Sequence, residues 1–166
     1  TRKESSAASD VYKRQLSTGV TSFLPTTLTA TYEQLLAVTE NLGNHYKEAT
    51  GAKIRGIYYE GPYFTETFKG AQNPTYMRDP GVEEFHSWQD AAKGMLNKIA
   101  IAPERDGVED FVRTITGEGV TVALGHSDAT FEQAKKAVDA GASVWVHAYN
   151  GMRGLTPVSY THLTLP

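Results

Sequence analysis

The chain has 166 residues, with 16 lysines and arginines against 19 acidic residues, a net charge of -3 and no cysteine. No basic face stands out, which argues against nucleic acid as the main partner. The lack of cysteine excludes a disulfide framework and thiolate chemistry, and it suits a reducing cytoplasm. No apolar run approaches the ~20 residues that span a bilayer, so no membrane partner is expected.

Residues 1–15 and 157–166 are polar and without period. They are expected to be non-native tails around one domain, residues 16–156; SAASDVYKRQ and VSYTHLTLP resemble translated sequencing adapters. The first fifteen residues also lack the apolar stretch of a signal peptide.

Within the domain, GVTSFLPT reads as a strand ending at Pro25. Thr31 and Gln34 form a capping box that opens a helix whose apolar positions are Leu35, Leu36, Val38 and Leu42. KIRGIYYEG is the second strand, followed by a long loop containing GAQNPTYMRDPG. VEEFHSWQDAAKGM reads as a helix and IAIAPE as a short buried strand. Asp106 and Glu109 supply a second capping box for the helix GVEDFVRTITGEG. VTVALGHS is the fourth strand; Ser127 or Asp128 can cap the helix ATFEQAKKAVDAG, and Gly141 stops it. ASVWVHAYNG is the fifth strand. Strands with continuous apolar runs, alternating with helices, imply an α/β fold with a parallel sheet covered by helices. Two architectures fit: an open doubly wound sheet, or a (β/α)₈ barrel. A whole barrel takes ~250 residues, so the second reading means a part of one.

The strand ends carry the chemistry. KIRGIYY ends at Glu60, VTVALG at His126 and ASVWV at His147. In both architectures the C-terminal strand ends form the functional face. A glutamate and two neutral histidines are a catalytic zinc set that leaves one position open. The mixed O and N donors also suit iron, cobalt or manganese. Taken singly, Glu60 reads as a solvated strand end and each histidine as a hydrogen-bonded structural residue; their conjunction favours one divalent ion. His45 and His86 read as surface residues, and His162 falls in the second tail. Neither a GxGxxG nor a P-loop motif is present, which removes support for a nucleotide site.

YEGPYF, KGAQNP, the APE strand end, LGHSDAT and HAYNGMRGLT together resemble the N-acetylglucosamine-6-phosphate deacetylases of the amidohydrolase superfamily. The resemblance runs through residues 16–156 and implies a partial (β/α)₈ TIM-type barrel, about strands two to six. It implies that Glu60, His126 and His147 bind the metal and that Ala71, Gln72, Asn150 and Gly151 contact an amino-sugar phosphate. The implied reaction is metal-dependent hydrolysis of the acetamide of N-acetylglucosamine 6-phosphate to glucosamine 6-phosphate and acetate, by a cytoplasmic homodimer. The base aspartate is expected beyond the chain end, so no catalytic base is assigned here and these residues alone are expected to be inactive. Three positions depart from the common pattern. Gln72 stands where many members carry His, Tyr58-Tyr59 where many carry His-Leu, and Gly151 where alanine is common. Two readings compete with this one: a non-catalytic sugar-phosphate-binding α/β domain, and another metal-dependent amidohydrolase.

Overall fold

The computed structural model describes residues 14–154. Of the expected tails, 1–15 and 157–166, residues 1–13 and all of the second, with His162, lie outside the described residues. The first strand is broken in two, β1 (Ser22–Phe23) and β2 (Thr26–Thr27). Pro25 does not end it, as the sequence suggests. Proline has no N–H to donate, but its carbonyl still accepts from Tyr58 N at 2.9 Å, and the ladder resumes beyond it. The second strand divides likewise into β3 (Lys53–Ile54) and β4 (Ile57–Glu60). β1 pairs with β3, and β2 with β4, both in parallel.

Helix α1 (Tyr32–His45) opens on the Thr31–Gln34 capping box. Its buried positions are Leu35, Thr39 and Gly43, whereas Val38 is exposed, contrary to the apolar face expected. The face is chosen by close approach rather than by hydropathy. Thr39 hydrogen-bonds the Tyr59 hydroxyl, and a Cβ on Gly43 would strike the Ala91 carbonyl. Then follow α2 (Val82–Ala91), β5 (Leu96–Ile101), α3 (Val108–Gly117), β6 (Thr121–Leu124), α4 (Phe131–Ala140) and β7 (Val144–Trp145).

Two caps differ from expectation. The residue before α3 is Gly107, in the left-handed region at φ 75°, with no side-chain cap, so Asp106 and Glu109 form no box. Helix α4 is capped by Thr130, which accepts from Gln133 N, rather than by Ser127 or Asp128. Those two are engaged elsewhere, as shown below. Gly141 ends α4 at φ 128°, as expected.

The main sheet has five strands in the order β2-β4-β5-β6-β7, all parallel. This is chain order throughout. A doubly wound sheet reverses its order at a switch point, whereas a barrel wall does not. Consecutive helices also touch, α1 on α2, α2 on α3 and α3 on α4, so one sheet face carries the helix layer. The architecture is that of a barrel wall.

The side-chain period of two sorts the strands onto two faces. Toward the helices point Ile57, Tyr59, Ile99, Ile101, Val122 and Leu124, packed with Trp88, Phe85, Phe111 and Leu35. Trp88 is fully buried, its ring 5.1 Å from that of Tyr59 and 5.7 Å from that of Tyr32. Burying one such aromatic or aliphatic side chain contributes about 1.5–3 kcal/mol. On the opposite face Phe64, Ala100 and Ala123 pack with Tyr58, Met77, Val144 and Val146. Small residues on this face leave room at the C-terminal rim, where Glu60 sits.

Candidate metal centre

Glu60 closes β4. Gly61 follows with φ 93°, a backbone that L side chains rarely adopt, and a Cβ there would strike the Thr29 hydroxyl. Gly61 therefore turns the chain at once, leaving the Glu60 side chain on the rim. Two strands over, past β5, His126 follows Gly125, whose position tolerates no Cβ because the Val146 side chain and carbonyl lie against it. His147 follows β7. Both histidines hold left-handed backbone, φ 49° and 51°. Such strain costs of order 1–3 kcal/mol per residue and clusters at functional sites.

The three side chains meet. His126 Nε2 and His147 Nε2 each lie 3.1 Å from Glu60 Oε1. One ligand atom from each of the three falls within 4.8 Å of the others. The two imidazoles meet edge to face, 4.9 Å between centroids at 74°. The His126 side chain is 8% exposed and is walled by the Phe64 ring at 4.4 Å, while that of His147 is 45% exposed.

The hydrogen bonds fix the tautomer of His126. Its Nδ1 lies 2.8 Å from the Phe68 carbonyl oxygen. A carbonyl can only accept, so Nδ1 carries the proton and Nε2 of the neutral ring keeps its lone pair. That lone pair faces the Glu60 carboxylate, and two acceptors at this distance need a shared cation between them. A proton or a metal ion meets that need. Ligands of a tetrahedral ion at ~2.0–2.1 Å lie roughly 3.3 Å apart, close to the separations seen. The donor set and the tautomer therefore fit a divalent ion.

A proton on each Nε2, in the place of an ion, holds the carboxylate ionised. Burial opposes the charge of Glu60, but hydrogen bonds and charge from His147 and His126 outweigh it and hold the carboxyl below its usual range. Next to it, burial and the Glu60 charge push the Tyr58 hydroxyl well above its ordinary value. Lys98 lies over the Tyr58 ring, 4.4 Å from the centroid.

Of the remaining expected site residues, Gln72 is brought to the centre. It is 4% exposed, and its Nε2 donates to Glu60 Oε1 at 3.3 Å. Gly151 is buried, its N–H donating to the His147 carbonyl at 2.7 Å and its carbonyl accepting from Ser127 N at 3.1 Å. It closes the turn that carries His147. Ala71 and Asn150 are exposed, each next in sequence to one of these buried residues. His45 and His86 are surface residues, beside Glu48 and Glu118.

One residue went unseen. Glu104 accepts from Ser127 Oγ at 2.7 Å and from Asp128 N at 2.6 Å, so it anchors the segment after His126. That is why Ser127 and Asp128 do not cap α4. Asp128 in turn takes a hydrogen bond from Arg153 Nε at 2.5 Å, latching the loop after β6 to the loop after β7. The signal was present: Glu60 closes a buried strand, and Glu104 is a carboxylate just past the end of the next one.

No family model matches the chain. The N-acetylglucosamine-6-phosphate deacetylase of Vibrio furnissii is 45% identical over 138 residues, covering 82% of this chain and 35% of its own length. The chain is a relative of the N-acetylglucosamine-6-phosphate deacetylases. The N-acetylgalactosamine-6-phosphate deacetylase of Escherichia coli O157:H7 is also similar, 40% identical over 82% of this chain and 37% of its own length. The crystal structure of the deacetylase from Mycobacterium smegmatis superposes with a TM-score of 0.78 at 36% identity, over 83% of this chain and 36% of that one. The chain thus spans about a third of the length of the deacetylases it matches. The fold is a partial (β/α)₈ barrel.

Proposed function

We propose that this chain carries the metal-holding wall of an enzyme that hydrolyses the acetamide of N-acetylglucosamine 6-phosphate to glucosamine 6-phosphate and acetate. The observation that carries the proposal is the convergence of Glu60, His126 and His147 from three strand ends, with Nε2 of His126 left free by the Phe68 carbonyl. The relatives support the substrate. A mutant of the M. smegmatis deacetylase has been crystallised in complex with N-acetyl-D-glucosamine 6-phosphate.

In this reading Glu60, His126 and His147 are the three protein ligands of one divalent ion, zinc first, with iron, cobalt and manganese suited by the same donors. Bound there, the ion supplies Lewis-acid chemistry, acidifying a water and polarising the acetamide carbonyl. The chain's own residues shape that centre. Phe68 holds the His126 ring, Glu104 fixes the segment after it, and Gly151 closes the turn of His147. The Phe64 ring keeps water from one side of His126. Ala71, Gln72, Asn150 and Gly151 form the substrate side. The resemblance implies an aspartate as the base that takes the proton of the attacking water, and none is assigned among the described residues. A cytoplasmic homodimer completes the proposal, on the resemblance alone. Among the described residues no helix is long and apolar enough to cross a membrane.

The relative from E. coli O157:H7 motivates one alternative substrate, the 4-epimer N-acetylgalactosamine 6-phosphate. Both readings are tested by exchanging residues 16–154 for the matching stretch of the M. smegmatis deacetylase and following acetate release. The proposal expects chelator-sensitive release from the gluco sugar that Glu60→Gln abolishes. Release indifferent to both treatments contradicts it, and faster turnover of the galacto sugar selects the alternative.

A further inference from the structure

Gln72 is a buried amide with both ends engaged. Its Oε1 accepts from the backbone N–H of Thr29 at 2.7 Å, and its Nε2 donates to Glu60 Oε1 at 3.3 Å. The first contact decides the second. A backbone N–H can only donate, so the atom facing it must be the amide oxygen, and the NH₂ group must then face the carboxylate. The amide cannot flip without setting two donors, and two acceptors, against each other.

The backbone around Gln72 serves the same centre. Gln72 N donates to the Lys69 carbonyl at 3.0 Å, closing a turn, and Phe68 at the start of that turn holds His126 Nδ1. Thr65 N donates to the His126 carbonyl at 3.0 Å. Gly70, at φ 57°, lies against the His126 ring, where a Cβ would sit 3.6 Å from Cε1. One loop, residues 65–72, therefore touches two of the three converging side chains from outside. It grips His126 through backbone atoms and Glu60 through a single side chain.

We infer that Gln72 is a positioning residue. It ties the carboxylate of Glu60 to the segment after β2 and aims one carboxylate oxygen at the point where the two Nε2 atoms converge. This rests on reading Glu60, His126 and His147 as a metal set. It assigns Gln72 a role on the protein side of the centre, with one N–H of its amide left over for a ligand. A neutral donor suits the task, because it orients the carboxylate without cancelling the charge that attracts a cation. Outer partners of this kind commonly change metal affinity by ~10–100-fold.

The test compares the 166-residue chain with Gln72→Met, similar in length but without the N–H donor and the amide oxygen. Zinc affinity is read by competition with a chromophoric chelator, and geometry by the visible spectrum of the cobalt-loaded protein. The inference expects zinc binding roughly tenfold or more weaker, with an altered cobalt spectrum, in a variant that remains folded. A folded variant with unchanged affinity and spectrum overturns it. If the wild-type chain itself binds no zinc, the metal reading falls, a different failure from the first. If Gln72→Met does not fold, the wild-type chain decides, through the side-chain NH₂ resonances of selectively ¹⁵N-labelled glutamine. The Gln72 pair should move on adding zinc, and a pair that stays still overturns the inference.

Discussion

On its helix side the sheet presents Ile57, Tyr59, Ile99, Ile101, Val122 and Leu124, closed over by Trp88, Phe85 and Phe111. On the other side the same strands present Tyr58, Ala100, Ala123, Val144 and Val146, with Glu60, His126 and His147 along the rim. The first face is filled by large side chains in mutual contact, so its worth lies in buried area and packing. The second keeps small residues, left-handed histidines and glycines that admit no Cβ. One face holds the fold together, and the other spends part of that stability on holding donors in place. Substitutions on the two faces should therefore separate stability from metal binding.

The largest separation is expected at Glu60. If Glu60 is a ligand as proposed, Glu60→Gln should weaken zinc binding beyond the ~10–100-fold of an outer partner. Competition titration reads this, and circular dichroism should show a native spectrum. The reverse result is expected at Trp88. Trp88→Ala empties the centre of the aromatic cluster with Tyr32, Tyr59 and Tyr63 and should cost about 3–5 kcal/mol in urea unfolding. Its remaining folded fraction should bind zinc as the wild type does.

A matched pair sharpens the comparison. Gly43→Ala, on the helix side, drives a methyl into the Ala91 carbonyl; Gly125→Ala drives one into Val146 on the rim side. Both should destabilise by about 1–3 kcal/mol through overpacking. Only Gly125→Ala should also weaken zinc binding, since it pushes apart the strand ends that carry His126 and His147. Equal zinc affinity in the two variants would erase the distinction between the faces.

The smallest effect is expected at the latch between the rim loops. The hydrogen bond from Arg153 holds the Asp128 carboxyl below its usual range. A depressed folded-state value means that the latch is fully present above the ordinary carboxylate range and is lost as pH falls through the lower, folded value. Asp128→Asn should lower the thermal midpoint slightly at neutral pH, and the difference should vanish in acid. A difference that grows in acid would contradict the pairing.

The strand ends were legible because each closes an apolar run with a residue that apolar surroundings do not tolerate unpartnered. The sorting of faces was not, since a parallel strand buried on both sides reads as one apolar run, as IAIA and VTVAL do. Local capping signals were half legible. Thr31 and Gln34 meet no competing partner among the described residues, whereas Ser127 and Asp128 are drawn away by Glu104, a residue distant in sequence. The burial of Thr39 and Gly43 in place of Val38 depends on how closely α1 approaches β4 and α2, which hydropathy does not encode. The inward turn of Gln72 needed the position of Thr29, 43 residues away in sequence.

The central claim is that three strand ends make one metal centre. Its most direct test is zinc titration of the 166-residue chain, followed by X-ray absorption at the zinc edge. The account predicts one ion per chain, with two imidazole nitrogens and a carboxylate oxygen in its first shell, and the loss of that ion in Glu60→Gln. Binding with no imidazole signature, or zinc content unchanged by Glu60→Gln, would contradict it.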